Sequence, residues 1–275
     1  MKTSAIRAIR FLAIATLLVL VTRKSTAEKA LRAKYREWVE EGDRIHVRSW
    51  YAEAETALTE EWSLDIVGVV DTWSGATPIG LPPTEFDWLS DPIEETRRAG
   101  LITLSREAGK YDFSVEFGLS HEPDYLSCSY AFRLARQYAE ETLTLSAGLS
   151  YLDDTVDTQM IGYPGFDEQT KRTPEIILGA HRVLDPKTTL AMNLSYSRPS
   201  GYLSDPYKSV AYYATVHGAK VLRQTPENRP DARNVYVVFV EGTRYIESLR
   251  SSLQGSYRFF ADDSGLRGNT LEMQW

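Results

Sequence analysis

Four histidines, one cysteine and a scatter of serines are the residues of this chain best suited to bond-making chemistry, and their spacing offers little of it. His46, His121, His181 and His217 include no pair at metal-ligand separation, and His121-Glu122 lacks the second histidine of a zinc-binding helix. No metal or other cofactor is expected. The sequence has no Gly-x-Ser-x-Gly elbow and no phosphate-cradling loop, so no catalytic residue is assigned. His181 with Ser195, on what reads as the next strand, is the one conceivable nucleophile pair, and it keeps a membrane-barrel hydrolase open as an alternative. Cys128 falls in the series Leu126, Cys128, Tyr130, Phe132, Leu134, which reads as wall and not as a nucleophile.

Two sets of polar residues suit transport better than catalysis. Asp71, Ser74, Gly75, Thr77, Asp205, Lys208 and Arg229 lie in or beside the long polar segments of the chain. Folded into a mouth, these segments could constrict it, with Asp71, Asp205, Lys208 and Arg229 setting a transverse field that sorts solutes by charge. The same residue types also shape and cap ordinary turns, and that alternative stays open. The second set, Asp65, Asp112, Glu116, Arg133, Asn193, Gln254 and Arg258, sits opposite the apolar series of its strands and would point into a lumen. These groups could line a wet passage, or pair with one another and plug it.

The elements that must position both sets are short segments in which every second residue is apolar. In 110–120, Tyr111, Phe113, Val115, Phe117 and Leu119 alternate with Asp112, Ser114, Glu116, Gly118 and Ser120. In 142–151, Leu143, Leu145, Ala147, Leu149 and Tyr151 alternate with Thr144, Ser146, Gly148 and Ser150. A strand sends successive side chains to opposite faces, so each segment has one greasy side and one small or polar side. That is the pattern of a transmembrane β-barrel wall.

Strands are expected at 30–40, 44–57, 62–71, 99–108, 110–119, 125–137, 141–151, 174–183, 188–197, 233–246, 249–260 and 266–275. Glu37 interrupts the apolar face of the first, where a helix is an alternative. The turns after the second, fourth, sixth, eighth and tenth strands are short, whereas 72–98, 152–173 and 198–232 are long and all fall at the other end of the sheet. Tight turns on one side and extended loops on the other are the asymmetry of outer-membrane barrels, and an even strand count puts both termini on the short-turn side.

The N-terminus agrees with export. Lys2, Arg7 and Arg10 precede the apolar run Phe11–Val21, and Ser25-Thr26-Ala27 follows it, which together read as a cleavable signal peptide over 1–27 with a mature domain 28–275. The run is too short to span a bilayer as a helix. A single cysteine excludes an intrachain disulfide, and a net charge of -7 argues against nucleic acid as a partner. Sixteen Tyr and six Trp suit the aromatic girdles of a barrel. The last residues, Leu271, Met273 and Trp275 alternating with Glu272 and Gln274, resemble the terminal strand that barrel-assembly machinery recognises.

Five blocks carry a family resemblance: Asp71-Thr72-Trp73-Ser74-Gly75-Ala76-Thr77-Pro78, Glu122-Pro123-Asp124-Tyr125, Asp185-Pro186-Lys187-Thr188, Gly201-Tyr202-Leu203-Ser204-Asp205-Pro206-Tyr207-Lys208 and Pro226-Glu227-Asn228-Arg229-Pro230. In these the chain resembles an uncharacterised bacterial family, domain of unknown function thirty-five seventy, whose members look like outer-membrane β-barrels. The resemblance implies a location and an architecture but no activity.

The expectation is therefore an all-β, antiparallel up-and-down transmembrane barrel of about twelve strands in the outer membrane, acting as a passive pore or a surface scaffold. Its expected partners are outer-membrane lipid and the assembly machinery, with the solute unknown. The rival is a soluble periplasmic all-β binding or structural protein. Charge on the supposed lipid face separates the two. The strand at 188–197 passes that test, and the strand at 44–57, with Ile45, Val47 and Tyr51 beside Glu53, passes less well.

Overall fold

The structure, a computed structural model, describes residues 29–41, 45–75, 93–158, 168–204 and 209–275. The leader expected over 1–27 lies outside them, as do Thr77, Asp205 and Lys208. The strands are β1 (Lys29–Val39), β2 (Ile45–Ala57), β3 (Trp62–Gly75), β4 (Ile93–Ala108), β5 (Tyr111–His121), β6 (Tyr125–Tyr138), β7 (Leu143–Val156), β8 (Gln169–Asp185), β9 (Thr188–Ser197), β10 (Ser200–Gly201), β11 (Ser209–Val216), β12 (Ala219–Pro226), β13 (Val235–Ile246), β14 (Ser251–Asp262) and β15 (Arg267–Gln274). Among the described residues no helix is long and apolar enough to cross a membrane.

All twelve expected strands are present, and they join in the order β1 to β9, then β13, β14 and β15, each antiparallel to the one before. The sheet is up-and-down throughout. β1, where a helix was the alternative, pairs with β2 from Lys29 opposite Thr56 to Val39 opposite His46. The path has two ends, and among the described residues β1 and β15 are each hydrogen-bonded on one side only. The longest expected loop holds more order than its composition suggested. β11 and β12 form a hairpin of their own, turning at His217 and Gly218 with φ of 50° and 80°, the left-handed pair a tight two-residue turn needs. β10 adds a short pairing to β8.

Register assigns the faces. Val115 lies opposite Phe132, Phe132 opposite Leu149, Leu149 opposite Ile176, Ile176 opposite Tyr196, and Tyr196 opposite Tyr236, so one apolar row crosses six strands. The other face carries Ser114, Arg133, Gly148, Ile177 and Ser195 in the same way. The apolar face is convex. Along β7 its residues Leu145, Ala147, Leu149 and Tyr151 are exposed, while Thr144, Ser146, Gly148 and Ser150 opposite are half-buried or buried, as crowding on the inside of a curve requires.

Glycine placement confirms that curvature. A Cβ on Gly179 would sit 2.4 Å from Ser146 Oγ and 2.8 Å from Asn193 Oδ1, and one on Gly118 would sit 2.3 Å from Ser129 Oγ, both on the polar face. On the apolar face a Cβ at Gly255 meets nothing within 4 Å. Small side chains are thus a steric requirement of the concave side. That side is not uniformly polar, since Val67, Val69, Ala99 and Leu101 line a hollow of about 280 Å³ there.

One facing expectation is corrected. Ile45, Val47, Tyr51 and Glu53 of β2 are on the concave face, because Tyr51 pairs with Val69 and Glu53 with Val67. The convex side of β2 carries Arg48, Trp50, Ala52 and Ala54, so Glu53 leaves this face and its remaining cation, Arg48, stands toward the loop-side end. Gly179→Val should cost about 1–3 kcal/mol through overpacking, whereas Gly255→Ala should be near neutral. Urea unfolding of the refolded protein in detergent checks both, and equal midpoints for the two variants would reverse the assignment of inside and outside.

Candidate functional site

At the long-loop end of the concave face, buried carboxylates recur around the sheet, each with a cation. Asp71 on β3, 7% exposed, is held by Arg97, its register partner on β4, which donates from Nε at 3.0 Å and also from its terminal nitrogen. Asp154 on β7, 1% exposed, has Lys171 Nζ of β8 at 3.2 Å, and the same ammonium reaches the Tyr125 hydroxyl at 3.2 Å. Asp262 closes β14, its Oδ1 accepting from the amides of Ser264 and Leu266 and from the Ser264 hydroxyl, with Arg233 at 3.4 Å from Oδ2. Asp154 and Asp262 stand at or next to the ends of their strands, whereas Asp71 lies four residues inside the end of β3, and each keeps an ion pair toward the loop side.

Glu95, Glu122 and Asp124 bring one ligand oxygen each within 4.8 Å of the others. Glu122 and Asp124 sit in the β5–β6 turn, and burial pushes the Glu122 carboxyl up, with Glu95, Asp124 and Asp71 adding to the shift and Arg97 opposing it. Glu122 therefore keeps its proton to a higher pH than a free glutamate. Beside this turn lies a cavity of about 480 Å³ on the concave face, lined by Arg36 and Trp38 of β1, Val47, Ser49 and Tyr51 of β2, Asp71 and Trp73 of β3, Arg97 and Glu122. Of these only Asp71 was a candidate site residue in the sequence, because they come from separate strands and only register gathers them.

The expected lumen residues fall on one face. Asp65 lies opposite Thr103, which lies opposite Glu116, and the Thr103 hydroxyl donates to Glu116 at 3.4 Å. Arg133 is opposite Ser114, Asp112 is opposite Ala135, and Asn193, Phe239 and Arg258 share one row. Gln254 pairs with Thr243 in the same series. All seven are concave. Apart from the ion pairs above, acids outnumber bases on this face: Glu53, Glu55, Glu107, Glu175, Glu241 and Glu272 join Asp65, Asp112 and Glu116 against Arg32, Lys34, Arg36, Arg133 and Arg258. Arg32 bridges Glu53 at 3.0 Å and Glu55 at 3.2 Å, leaving Asp65 with the surplus.

The mouth set is not one cluster. Asp71 is concave and paired as described, Ser74 and Gly75 end β3 opposite Glu94 and Ile93, and Arg229 pairs with Glu227 at 2.7 Å within its own loop. Its amide donates to Ser204 Oγ at 3.1 Å. His181 and Ser195 are kept apart by register, His181 facing Ala191 and Ser195 facing Ile177, a separation of about 13 Å along the sheet.

Fold and site define an all-β protein built on one antiparallel sheet, with an apolar convex face and an acid-rich concave one. The chain belongs to the family described as Protein of unknown function (DUF3570), matched over residues 8–88 and 87–275. No curated protein matches it. Among solved structures it is similar to the siderophore receptor PirA from Pseudomonas aeruginosa, with 11% identity, a TM-score of 0.49, and 92% of this chain and 42% of that one covered. It is also similar to a loop-deletion form of OmpT, an outer membrane protein of Vibrio cholerae (9% identity, TM-score 0.41, 90% and 98% covered). A third is the translocator domain of the autotransporter NalP from Neisseria meningitidis (11%, 0.38, 99% and 95%). The chain spans 42% of the length of the siderophore receptor.

Removing a cation from a buried pair strands its carboxylate. Lys171→Met should destabilise by about 3–5 kcal/mol, while Arg172→Met, which breaks the exposed pair with Asp153 at 3.5 Å, should cost below about 1 kcal/mol. Denaturant midpoints of the two variants decide it. A loss at Arg172 as large as at Lys171 would contradict the burial argument.

Proposed function

We propose that this chain is an outer-membrane β-barrel wall serving as a passive, cation-preferring pore, with its long loops turned outward. The carrying observation is the convex face, where Tyr130, Phe132, Leu134, Leu145, Leu149, Ile176, Leu178, Leu190, Met192 and Leu194 are exposed and no described residue covers them. Monomeric soluble proteins rarely expose an apolar area of that extent. Among the described residues, ionised side chains on this face stand toward the two ends of the strands and leave an apolar interval between them. On β4 Arg98 and Arg106 bracket Gly100, Ile102 and Leu104, and on β8 Arg172 and Arg182 bracket Pro174, Ile176, Leu178 and Ala180.

The length of the bare interval fits a bilayer. Ten residues from Arg172 to Arg182 rise about 33 Å, or about 25 Å once tilted, which is the height of an outer-membrane apolar band. Aromatic rings border it. On the short-turn side Trp62 meets Phe113 edge-on at 5.4 Å, Arg106 lies 5.5 Å over Trp62, and Arg136 lies 5.0 Å over Tyr111 and 4.7 Å over Tyr138. On the loop side Tyr196 and Tyr236 pair at 5.3 Å.

Hydrocarbon does not tolerate free strand edges, because each unpaired backbone group costs several kcal/mol there. β1 runs from the short-turn side to the loop side and β15 runs back, so the two edges can pair antiparallel. Their concave rows are complementary, Arg32, Lys34 and Arg36 on β1 against Glu272 on β15. With acids in excess along the concave face, the field inside favours cations. The assignment of a pore over a surface scaffold rests on that uncompensated charge.

Three measurements test this. Refolded protein should migrate faster on a gel unheated than boiled, and should conduct in planar bilayers with cation permeability exceeding anion permeability several-fold. Leu149→Arg, at mid-belt, should cost about 2–4 kcal/mol and abolish the fast-migrating form. Anion preference would overturn the selectivity, and normal folding of Leu149→Arg in lipid would overturn the location.

A further inference from the structure

We propose that the cavity at the loop-side end of β1–β5 is a binding subsite for a small neutral saccharide. The inference rests on the pore reading for its biological sense, because it places the first contact of an entering solute at the mouth. The cavity, of about 480 Å³, is in the size range of small-molecule sites. Three rings, Trp38, Trp73 and Tyr51, come from three adjacent strands and share the concave face, Trp38 and Trp73 both lying directly opposite Val47, with Tyr51 four residues further along β2 on the same face.

Flat π faces attract the slightly positive C–H edges of a sugar ring, and they do so without demanding charge. What surrounds the rings completes the match. Arg36 and Arg97 donate, Asp71 and Glu122 accept, and the cationic and acidic groups balance, so the lining is rich in hydrogen-bonding groups of both kinds yet carries no net charge. A polyhydroxylated ring uses donors and acceptors together, whereas a simple anion or cation would leave half of them idle. Arg97 is already fixed by Asp71, which holds its guanidinium in place before any solute arrives.

The test uses the full chain refolded in detergent, with maltose, glucose and glucuronate as probes, and reads saturable quenching of tryptophan fluorescence. Binding in solution is independent of conduction, so a protein that binds maltose but does not conduct would sink the pore and leave this site standing. Maltose should bind saturably, Trp73→Ala should weaken it at least tenfold, and Trp73→Phe should restore most of the affinity. Trp62→Phe, in the outer girdle, should leave the affinity unchanged. Should Trp73→Ala fold poorly, Arg36→Gln provides a second readout, with a several-fold loss for maltose expected. Absence of saturable binding by either neutral sugar, unaltered affinity in Trp73→Ala and Arg36→Gln, or glucuronate bound in preference to glucose would each overturn the assignment.

Discussion

Large apolar side chains stand in rows on the outside of a single curved sheet, and among the described residues no second layer meets them. Everything else in the architecture follows from the solvent that must take that place. A water-facing sheet of this size would bury its apolar face against a partner sheet or helices. Here the face is bare, its ionised residues are confined to the ends, and its rims carry Tyr and Trp beside Arg. Lipid satisfies all three features at once.

The concave side obeys a different constraint, which is space. Curvature splays the outer side chains and crowds the inner ones, so Gly118 beside Ser129, Gly148 beside Ile177 and Gly179 beside Ser146 line the tightest part. Toward the long loops, large aromatic side chains return to this face. Trp38, Trp73 and Tyr51 collect there, and so do the buried pairs Asp71–Arg97 and Asp154–Lys171. These ion pairs link neighbouring strands within their last few residues on the loop side.

The wall was legible in the sequence because alternation of period two is a local signal. Residues 110–120 and 142–151 display both faces within ten positions, and the even count and the sorting of loops by length followed from simple spacing. β2 was read on the wrong face, since Ile45, Val47 and Tyr51 look like lipid-facing residues until pairing with β3 sets them inside. The β11–β12 hairpin was hidden within a loop of mixed composition, although Val210, Tyr212, Ala214 and Val216 alternate and His217-Gly218 is a turn signal. The mouth cavity could not be read at all. Its residues lie on different strands, and nothing in a linear sequence says that Arg36, Trp73 and Glu122 share one face at one height.

The most direct test is to ask which residues of one strand touch hydrocarbon. Spin labels placed one at a time on cysteines substituted from Ser146 to Tyr151, in a Cys128→Ser background reconstituted into bilayers, report collision with lipid-soluble oxygen and with a water-soluble nickel chelate. Oxygen accessibility should peak at 147, 149 and 151 and fall at 146, 148 and 150, with the nickel chelate excluded from the odd positions. Equal access of the nickel chelate to the odd positions, or oxygen contact without alternation, would show that water or protein, and not lipid, lies against the convex face.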